Sequence, residues 1–387
     1  MIGEDGMNLR MLRALAICVG AVAMIAGSAR AQDAPVKIGA VLSLSGPAAV
    51  FGIPERDAIQ AIVAKMNSTT KGGRNFEISF YDDKSNPTEA TRAVNQAIND
   101  KVVAIVGPST GSGILAAGPI AQRLSTPLIG PAGTLAITDP KNEFYPWIFR
   151  AAPSDASDVR AILQDMAKGN AKKVGIFYQE DAYGKTGVDL AREVGPSLGL
   201  NVVETASAPY TATDLTAQAT KLRNAGAQAV FLQISIAALG SSFVKAARQV
   251  GLSVPIYANA GLAQRSFAEN VGNEVEGLRI VSIGNLPYDP TPGEAELAKM
   301  LEAAGKQPQG WGELTGSNAL MAALGAIDKQ KGKDITGASM RETLESLCDF
   351  DKFARGRVCY SAKDHDGWHE DALVITEVRN KQFRSVP

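Results

Sequence analysis

The stretch GPSTG at 107–111 matches the G-x-S-x-G turn that presents a serine nucleophile between a strand and a helix. Ser109 would be that nucleophile, and its base would have to be His365 or His369, the only two histidines in the chain. Short Gly/Ser turns match this pattern easily by chance, and nothing else in the sequence demands catalysis. We therefore predict a protein that is not an enzyme.

Two nucleotide-binding motifs are excluded by their surroundings. Residues 111–116 fit G-x-G-x-x-A, but the cofactor fingerprint also needs an acid at the end of the next strand, and PLIGPAGT at 127–134 has none. GKT at 184–186 has the ending of a phosphate-binding P-loop, but Gln179 stands where the first glycine of that loop belongs. No cofactor is predicted.

The cysteines indicate a disulfide rather than a metal site. Cys18 lies in the leader segment described below, which leaves Cys348 and Cys359 on either side of DFDKFARGRV. In an exported chain such a pair predicts a local disulfide. A metal site would need further ligands, and an Asp-Gly turn signal separates His365 from His369, so we predict no metal.

Two glycine-rich segments favour binding instead of catalysis. GPSTGSG at 107–113 and GPAGT at 130–134 offer backbone N–H groups and hydroxyls without bulky charge. Each follows a strand-like run, at the edge where open α/β sheets bind ligands, and small residues let a ligand approach the backbone. Neutral donors suit a monoanion such as a carboxylate, since a phosphate would also recruit Lys or Arg. The alternative is that both segments are only tight turns.

The elements that position these segments alternate between strand and helix patterns. Strands are expected at 36–44, 76–81, 102–106, 127–130, 173–178, 201–206, 229–234 and 254–257, and helices at 56–67, 88–100, 156–168, 215–225 and 237–250. This alternation predicts an α/β fold with two similar doubly wound parallel-sheet domains. RAAPSDASD at 150–158 is expected to join them, with Ser154 or Asp155 capping the next helix.

The tail is expected to complete both domains. Helices are predicted at 295–304 and 315–329, and strands are expected to return at Val358 and Ala372.

Composition and the N-terminus indicate the compartment. Lys plus Arg number 39 and Asp plus Glu 40 among 387 residues, so no large field attracts nucleic acid or anionic lipid. An apolar run at 14–27, too short to span a membrane, follows two arginines and precedes an A-x-A cleavage site. We predict a signal peptide at 1–31, cleaved after Ala31, with Met1 or Met7 as the start.

An ordered series of motifs supports a family resemblance. The motifs are VKIGAVLSLSGPAAVFG, YDDKSNPTEA, VVAIVGPSTGSG, TPLIGPAGT, FRAAPSDASD, EDAYGKTG and TDLTAQATKLRNAGAQAV. Through them the mature chain resembles the periplasmic Leu/Ile/Val-binding proteins of branched-chain amino-acid ABC transporters, which are type I periplasmic binding proteins. The resemblance implies no catalysis, ABC permease and ATPase subunits as partners, and a monomer that closes over its ligand.

The resemblance also implies a division of the chain into two lobes. They would be 32–152 plus 284–353 and 153–283 plus 354–387, joined by three crossovers near Ala152, Ile283 and Phe353. The predicted Cys348–Cys359 disulfide would then lie across the third crossover and stiffen the hinge.

The ligand contacts of the family are carried over by position. They fall on Phe51, Gly111, Ser112, Ala132, Thr134, Tyr183, Ile236 and Ala260. The resemblance implies that the turn at 111–112 and the groups at 132–134 hold the ligand carboxylate. Phe51 would line the side-chain pocket, and Tyr183 would close over the ligand from the second lobe.

Two of these positions depart from the family. Ile236 replaces a tyrosine, and Ala260 replaces the acid that receives the amino group of a bound amino acid. A buried ammonium without such an acceptor costs several kcal/mol. We therefore expect a carboxylate without an α-amino group, an aromatic acid or a 2-keto acid. The alternatives are an amino acid whose charge is received by Glu180 or Asp181, or a sensor that reports its ligand to a membrane receptor.

Overall fold

The computed structural model describes residues 35–69, 76–330 and 334–386. The predicted signal peptide and its two alternative start sites lie outside these ranges. Within them, the strands form a five-stranded and a seven-stranded sheet, and helices pack beside both. No helix in the described part of the chain is both long enough and apolar enough to cross a membrane.

The first sheet is entirely parallel, as the alternating pattern predicts. Its strands are β1 (Val36–Leu42), β2 (Phe76–Asp82), β3 (Ala104–Val106), β4 (Leu128–Gly130) and β5 (Ile148–Arg150), in the order β2-β1-β3-β4-β5. Between the strands run α1 (Ala49–Thr69), α2 (Pro87–Asn99) and α3 (Gly111–Arg123). Helices begin where a side chain can accept the free N–H groups of the first turn, as Asn86 does for α2 and Thr110 for α3.

The second sheet repeats this design and extends it. Its strands are β6 (Lys173–Gln179), β7 (Asn201–Ala208), β8 (Ala229–Gln233), β9 (Ile256–Ala258), β10 (Arg279–Ser282), β11 (Val374–Arg379) and β12 (Gln382–Ser385), in the order β12-β11-β10-β9-β8-β6-β7. The helices of this half are α4 (Asp155–Ala167), α5 (Ala182–Val194), α6 (Thr216–Asn224), α7 (Ala237–Gln249) and α8 (Arg265–Val271). The last two strands pair antiparallel and form one edge.

The tail contributes to both halves, as expected. After β10 the chain forms α9 (Pro292–Ala303), α10 (Trp311–Asp328) and α11 (Gly337–Leu344), and α10 packs against α1. The contact is close because α10 carries glycines there: a Cβ on Gly316 would lie 2.7 Å from the Cα of Glu55. The chain then returns to the second sheet as β11. The two halves are therefore two α/β lobes joined by three crossover segments.

The apolar core is continuous through the crossovers. It includes Ile38 and Ile59 of the first lobe, Ile176 of the second, and Ala152 and Ile283 of the connecting segments, all at most 1% exposed. Cys348 and Cys359 form a disulfide in the third crossover segment.

The tail strand predicted at Val358 is wrong, whereas the one predicted at Ala372 is present but begins two residues later. Val358 forms only an isolated bridge to Trp368, and Ala372 ends a short 3-10 turn before β11 begins at Val374. The intervening segment returns from one lobe to the other and turns sharply at Gly356, whose φ of 84° suits glycine. Apolar residues in it are buried without belonging to a sheet. The helix expected at 56–67 begins earlier than predicted, at Ala49.

Candidate ligand-binding cleft

A cavity of about 480 Å³ opens between the two lobes at the carboxyl ends of the parallel strands. Seven of the eight positions carried over from the family line it: Phe51, Gly111, Ser112, Ala132, Thr134, Tyr183 and Ile236. The first five belong to the first lobe and the last two to the second. The fold therefore brings these residues to one cavity, and their contact with a ligand remains a prediction.

Ala260, unlike the other seven positions, does not line this cavity. It begins a 3-10 turn after β9, and its side chain is 1% exposed and packs in the main apolar core. Its neighbours Asn259 and Gly261 face the cavity instead.

The two glycine-rich segments meet at one wall of the cavity. Thr110 caps α3 by accepting the N–H of Gly113 at 3.2 Å. Gly111 lies against Thr134, and a Cβ added at Gly111 would lie 2.1 Å from Thr134 Oγ1. Only glycine therefore allows the two turns to approach this closely. The N-terminus of α3 and the Thr134 hydroxyl provide uncharged donors that can hold an anion.

Ser109 is hydrogen-bonded to an acid rather than to a histidine. Its Oγ lies 2.5 Å from Glu55 Oε2 and accepts the N–H of Ser43 at 3.0 Å. Both the serine and the glutamate line the cavity. No described histidine contacts Ser109.

The two histidines lie elsewhere. His365 is buried between the rings of Tyr145 and Phe149, and its Nδ1 lies 2.8 Å from the carbonyl of Ile148. His369 is exposed, 3.8 Å from Asp364. The arrangement around Ser109 therefore lacks the histidine base that the hydrolase alternative requires.

Glu55 lines the cavity and is 1% exposed. Burial raises the pKa of this carboxyl to about 8; the Ser109 hydrogen bond opposes the rise, and the charges of Asp83 and Glu313 add to it. Glu55 is therefore largely protonated at neutral pH.

Asp155 and Asp158 form an acidic pair in the first turns of α4, where both line the cavity. They are 6% and 1% exposed. Burial raises the pKa of Asp155 to about 6, although the nearby Arg150 charge opposes the rise. Burial, and then the charge of Asp155, raise the pKa of Asp158 well above its usual value. Asp158 Oδ1 is buried and has no hydrogen-bond partner among the described residues.

The acids named as alternatives for an ammonium differ from this pair. Asp181 lines the cavity, but its oxygens already accept from Gly184 N at 2.8 Å, Gln179 Nε2 at 2.7 Å and Tyr210 Oη. Glu180 is exposed and does not line the cavity.

No Lys, Arg or His of the described ranges lines the cavity. Arg150 packs beneath the 130–134 turn, outside the cavity lining, with its side chain fully buried. Its Nε donates to Asp366 Oδ1 at 2.9 Å, and its other nitrogens donate to the carbonyls of Gly133 and Leu135. Arg150 therefore braces the 130–134 turn and is not free to meet a ligand. No group of acids, Cys or His in the described part of the chain could hold a metal ion.

Sequence reasoning missed Glu55, Asp155 and Asp158 as cleft residues. The sequence indicates Asp155 only as a possible helix cap, and in the structure Ser154 is the cap. A signal for the pair exists: positions 155 and 158 continue the buried stripe that Val159 and Ile162 form along one face of α4.

Comparison with known proteins agrees with this fold. A family model described as "Periplasmic binding protein" matches residues 35–382. The Leu/Ile/Val-binding protein of Escherichia coli (strain K12) is 25% identical over 332 residues, which cover 83% of this chain and 87% of that protein.

Solved structures give the same architecture. An extracellular ligand-binding receptor from Rhodopseudomonas palustris HaA2 superposes with a TM-score of 0.81 at 25% identity, covering 92% of this chain and all of that one. A solute-binding protein of an ABC transporter from R. palustris, in complex with benzoate, superposes with a TM-score of 0.79 at 19% identity, covering 91% and 96%. With the family model matching nearly the whole chain, this protein belongs to the type I periplasmic binding protein family.

Proposed function

We propose that this protein is exported and is the solute-binding component of an ABC importer that captures a small carboxylate. One observation carries the proposal: two turns rich in neutral donors, at 111–112 and 132–134, meet on one wall of a cavity that Tyr183 and Ile236 line from the other lobe. A cavity of about 480 Å³ suits a small ligand.

Capture would work by closure of the two lobes. We assign 32–152 plus 284–353 to the first lobe and 153–283 plus 354–387 to the second. A ligand that contacts both lobes binds the closed form better than the open one, and this difference in affinity drives closure. The closed monomer would then deliver its ligand to permease and ATPase subunits. A ligand sensor is the alternative role.

The first candidate ligand is a carboxylate without an α-amino group, an aromatic acid or a 2-keto acid. Ala260 supports it, because no acid stands at the family's ammonium position. Phe51, Tyr183 and Ile236 would surround an apolar body, and the benzoate complex of the R. palustris protein is a precedent in this fold.

The second candidate is an amino acid. A specific observation favours it: the cavity contains the buried carboxyls of Asp155 and Asp158, which the sequence did not predict there.

A thermal-shift screen tests the proposal. The mature protein is refolded to remove carried-over ligand and mixed with leucine, isoleucine, valine, benzoate, benzoylformate or phenylpyruvate. A ligand at a hundred times its Kd adds about 2.7 kcal/mol to the free energy of unfolding, which is a visible shift. We expect at least one acid to stabilise the protein and its amide, such as leucinamide or benzamide, to have no effect. Equal stabilisation by acids and amides, or by neither, would contradict the proposal.

A further inference from the structure

We propose that Asp155 and Asp158 receive a protonated amine of the ligand, so that the captured carboxylate is an α-amino acid. This inference rests on the proposed solute-binding function and selects between its two ligand candidates. The acceptor would stand on α4, near the first crossover, rather than at position 260.

The first argument is the unpaired state of Asp158. Its side chain is 1% exposed, lines the cavity and leaves Oδ1 without a hydrogen-bond partner in the described structure. Buried polar atoms are nearly always paired, so an unpaired carboxyl oxygen that lines a cavity is available to accept a hydrogen bond from a ligand. Asp181 differs, because three groups of the protein already donate to it.

The second argument is the balance of charge. Arg150 on β5 is the cation that acts on the pair, and its guanidinium is engaged by Asp366 and the carbonyl of Gly133. The α5 side of the cavity adds Asp181 and Tyr183, which bring no positive charge. A ligand with only a carboxylate would add another anion to this cleft. An ammonium would instead supply the opposite charge that a buried carboxylate requires.

The third argument is the distance between the pair and the predicted carboxylate turn. Asp155 N donates to the carbonyl of Gly133 at 2.7 Å, and a Cβ on Gly133 would lie 2.6 Å from Asp155 Oδ1. The acid therefore stands beside the turn that contains Thr134. In an α-amino acid the nitrogen lies about 2.5 Å from the carboxyl carbon. A carboxylate on this turn thus places its own ammonium near the pair.

Matched ligands that differ only in the amine give the sharpest test. Calorimetric titration compares leucine, valine and phenylalanine with the 2-keto acid of each. A hydrogen bond to a charged group contributes about 1.5–3 kcal/mol. We therefore expect an amino acid to bind about tenfold or more tighter than its keto partner. Asp158→Asn should remove most of that difference. Asp189→Asn, the same change on an exposed part of α5, should leave it unchanged.

The sign of the pH dependence provides a test on the unaltered protein. An ammonium favours the ionised pair, so amino-acid binding should release a proton and strengthen as pH rises through about 6, where Asp155 titrates. Binding of a keto acid should instead take up a proton and weaken as pH rises. This readout remains if Asp158→Asn fails to fold.

The outcomes separate the inference from the function. Tight binding of keto or aromatic acids, unaffected by Asp158→Asn and weakening as pH rises, would overturn the ammonium site and leave solute capture intact. Absence of binding by every amino acid, keto acid and aromatic acid would contradict the proposed function itself, and the inference with it.

Discussion

At the scale of single residues, the buried Glu55 carboxyl should make the stability of the protein depend on pH. Its pKa of about 8 lies above the ordinary value of 4.5, so the folded state holds a proton that the unfolded state releases between these two pH values. The titration of Glu55 therefore lowers the free energy of unfolding as pH rises through that window.

Glu55→Gln should remove this part of the pH dependence. Each unit of pKa shift corresponds to about 1.4 kcal/mol, so the variant's free energy of unfolding should fall less steeply than the wild type's between about pH 5 and 8. Urea unfolding at several pH values measures the difference. Glu296→Gln, on the exposed side of α9, is the control and should keep the wild-type slope. Identical slopes for Glu55→Gln and the wild type would mean that Glu55 is ionised throughout.

At the scale of elements, the contact between the α3 N-terminus and the turn after β4 forms the predicted carboxylate wall. It depends on the absence of a side chain at Gly111, since a Cβ there would overlap Thr134 Oγ1. The restriction is much weaker at Gly169, where the nearest atom to an added Cβ is the Met166 carbonyl oxygen at 3.3 Å.

Gly111→Ala should therefore separate the two turns. Overpacking of this kind costs about 1–3 kcal/mol, and we expect thermal unfolding at a lower temperature together with loss of the ligand-induced shift. Gly169→Ala serves as the comparison and should retain that shift. Wild-type affinity in Gly111→Ala would show that the turns do not act together.

Much of the element order could be predicted because parallel strands buried on both faces appear as short apolar runs, as in β3 and β8. The bounds of α3 could not be predicted, because three glycines and Pro119 lower its helix propensity. Tertiary packing determines where this helix begins and ends. Gly118, for example, lies against the ring of Phe144. A strand at Val358 is not formed, because burial there comes from a crossover segment and not from a sheet.

The candidate site was predictable where a position keeps the family's residue type, as at Thr134 and Tyr183. It was not predictable where cavity-lining acids lie outside the positions carried over from the family. Asp155 and Asp158 belong to a helix whose sequence indicates only a capped, amphipathic segment. Their place in the cleft follows from how α4 meets the 130–134 turn, which is a tertiary contact.

At the scale of the whole molecule, a partly buried ion pair ties the third crossover segment to α9. Glu294 is fully buried at the start of α9 and accepts a hydrogen bond from Arg355 Nε at 3.1 Å. Arg355 belongs to the third crossover segment. The Cys348–Cys359 disulfide closes a short loop around that residue.

The oxidised mature protein should have no titratable thiol under denaturing conditions and two after reduction. Replacing both cysteines by serine should lower the free energy of unfolding by about 2–3 kcal/mol, since the closed loop has a sequence separation of 11. A thiol assay and urea unfolding measure the two quantities. Two free thiols before reduction would contradict the pairing.

We expect the two lobes to capture a single ligand between them. The most direct measurement is calorimetric titration of the refolded protein with the most stabilising acid of the screen, beside Thr134→Val in the first lobe and Tyr183→Ala in the second. We predict one ligand per chain and a loss of about tenfold or more in affinity for each variant, because both walls contact the same molecule. Affinity unchanged in both variants would place the ligand outside this cleft and rule out capture between the lobes.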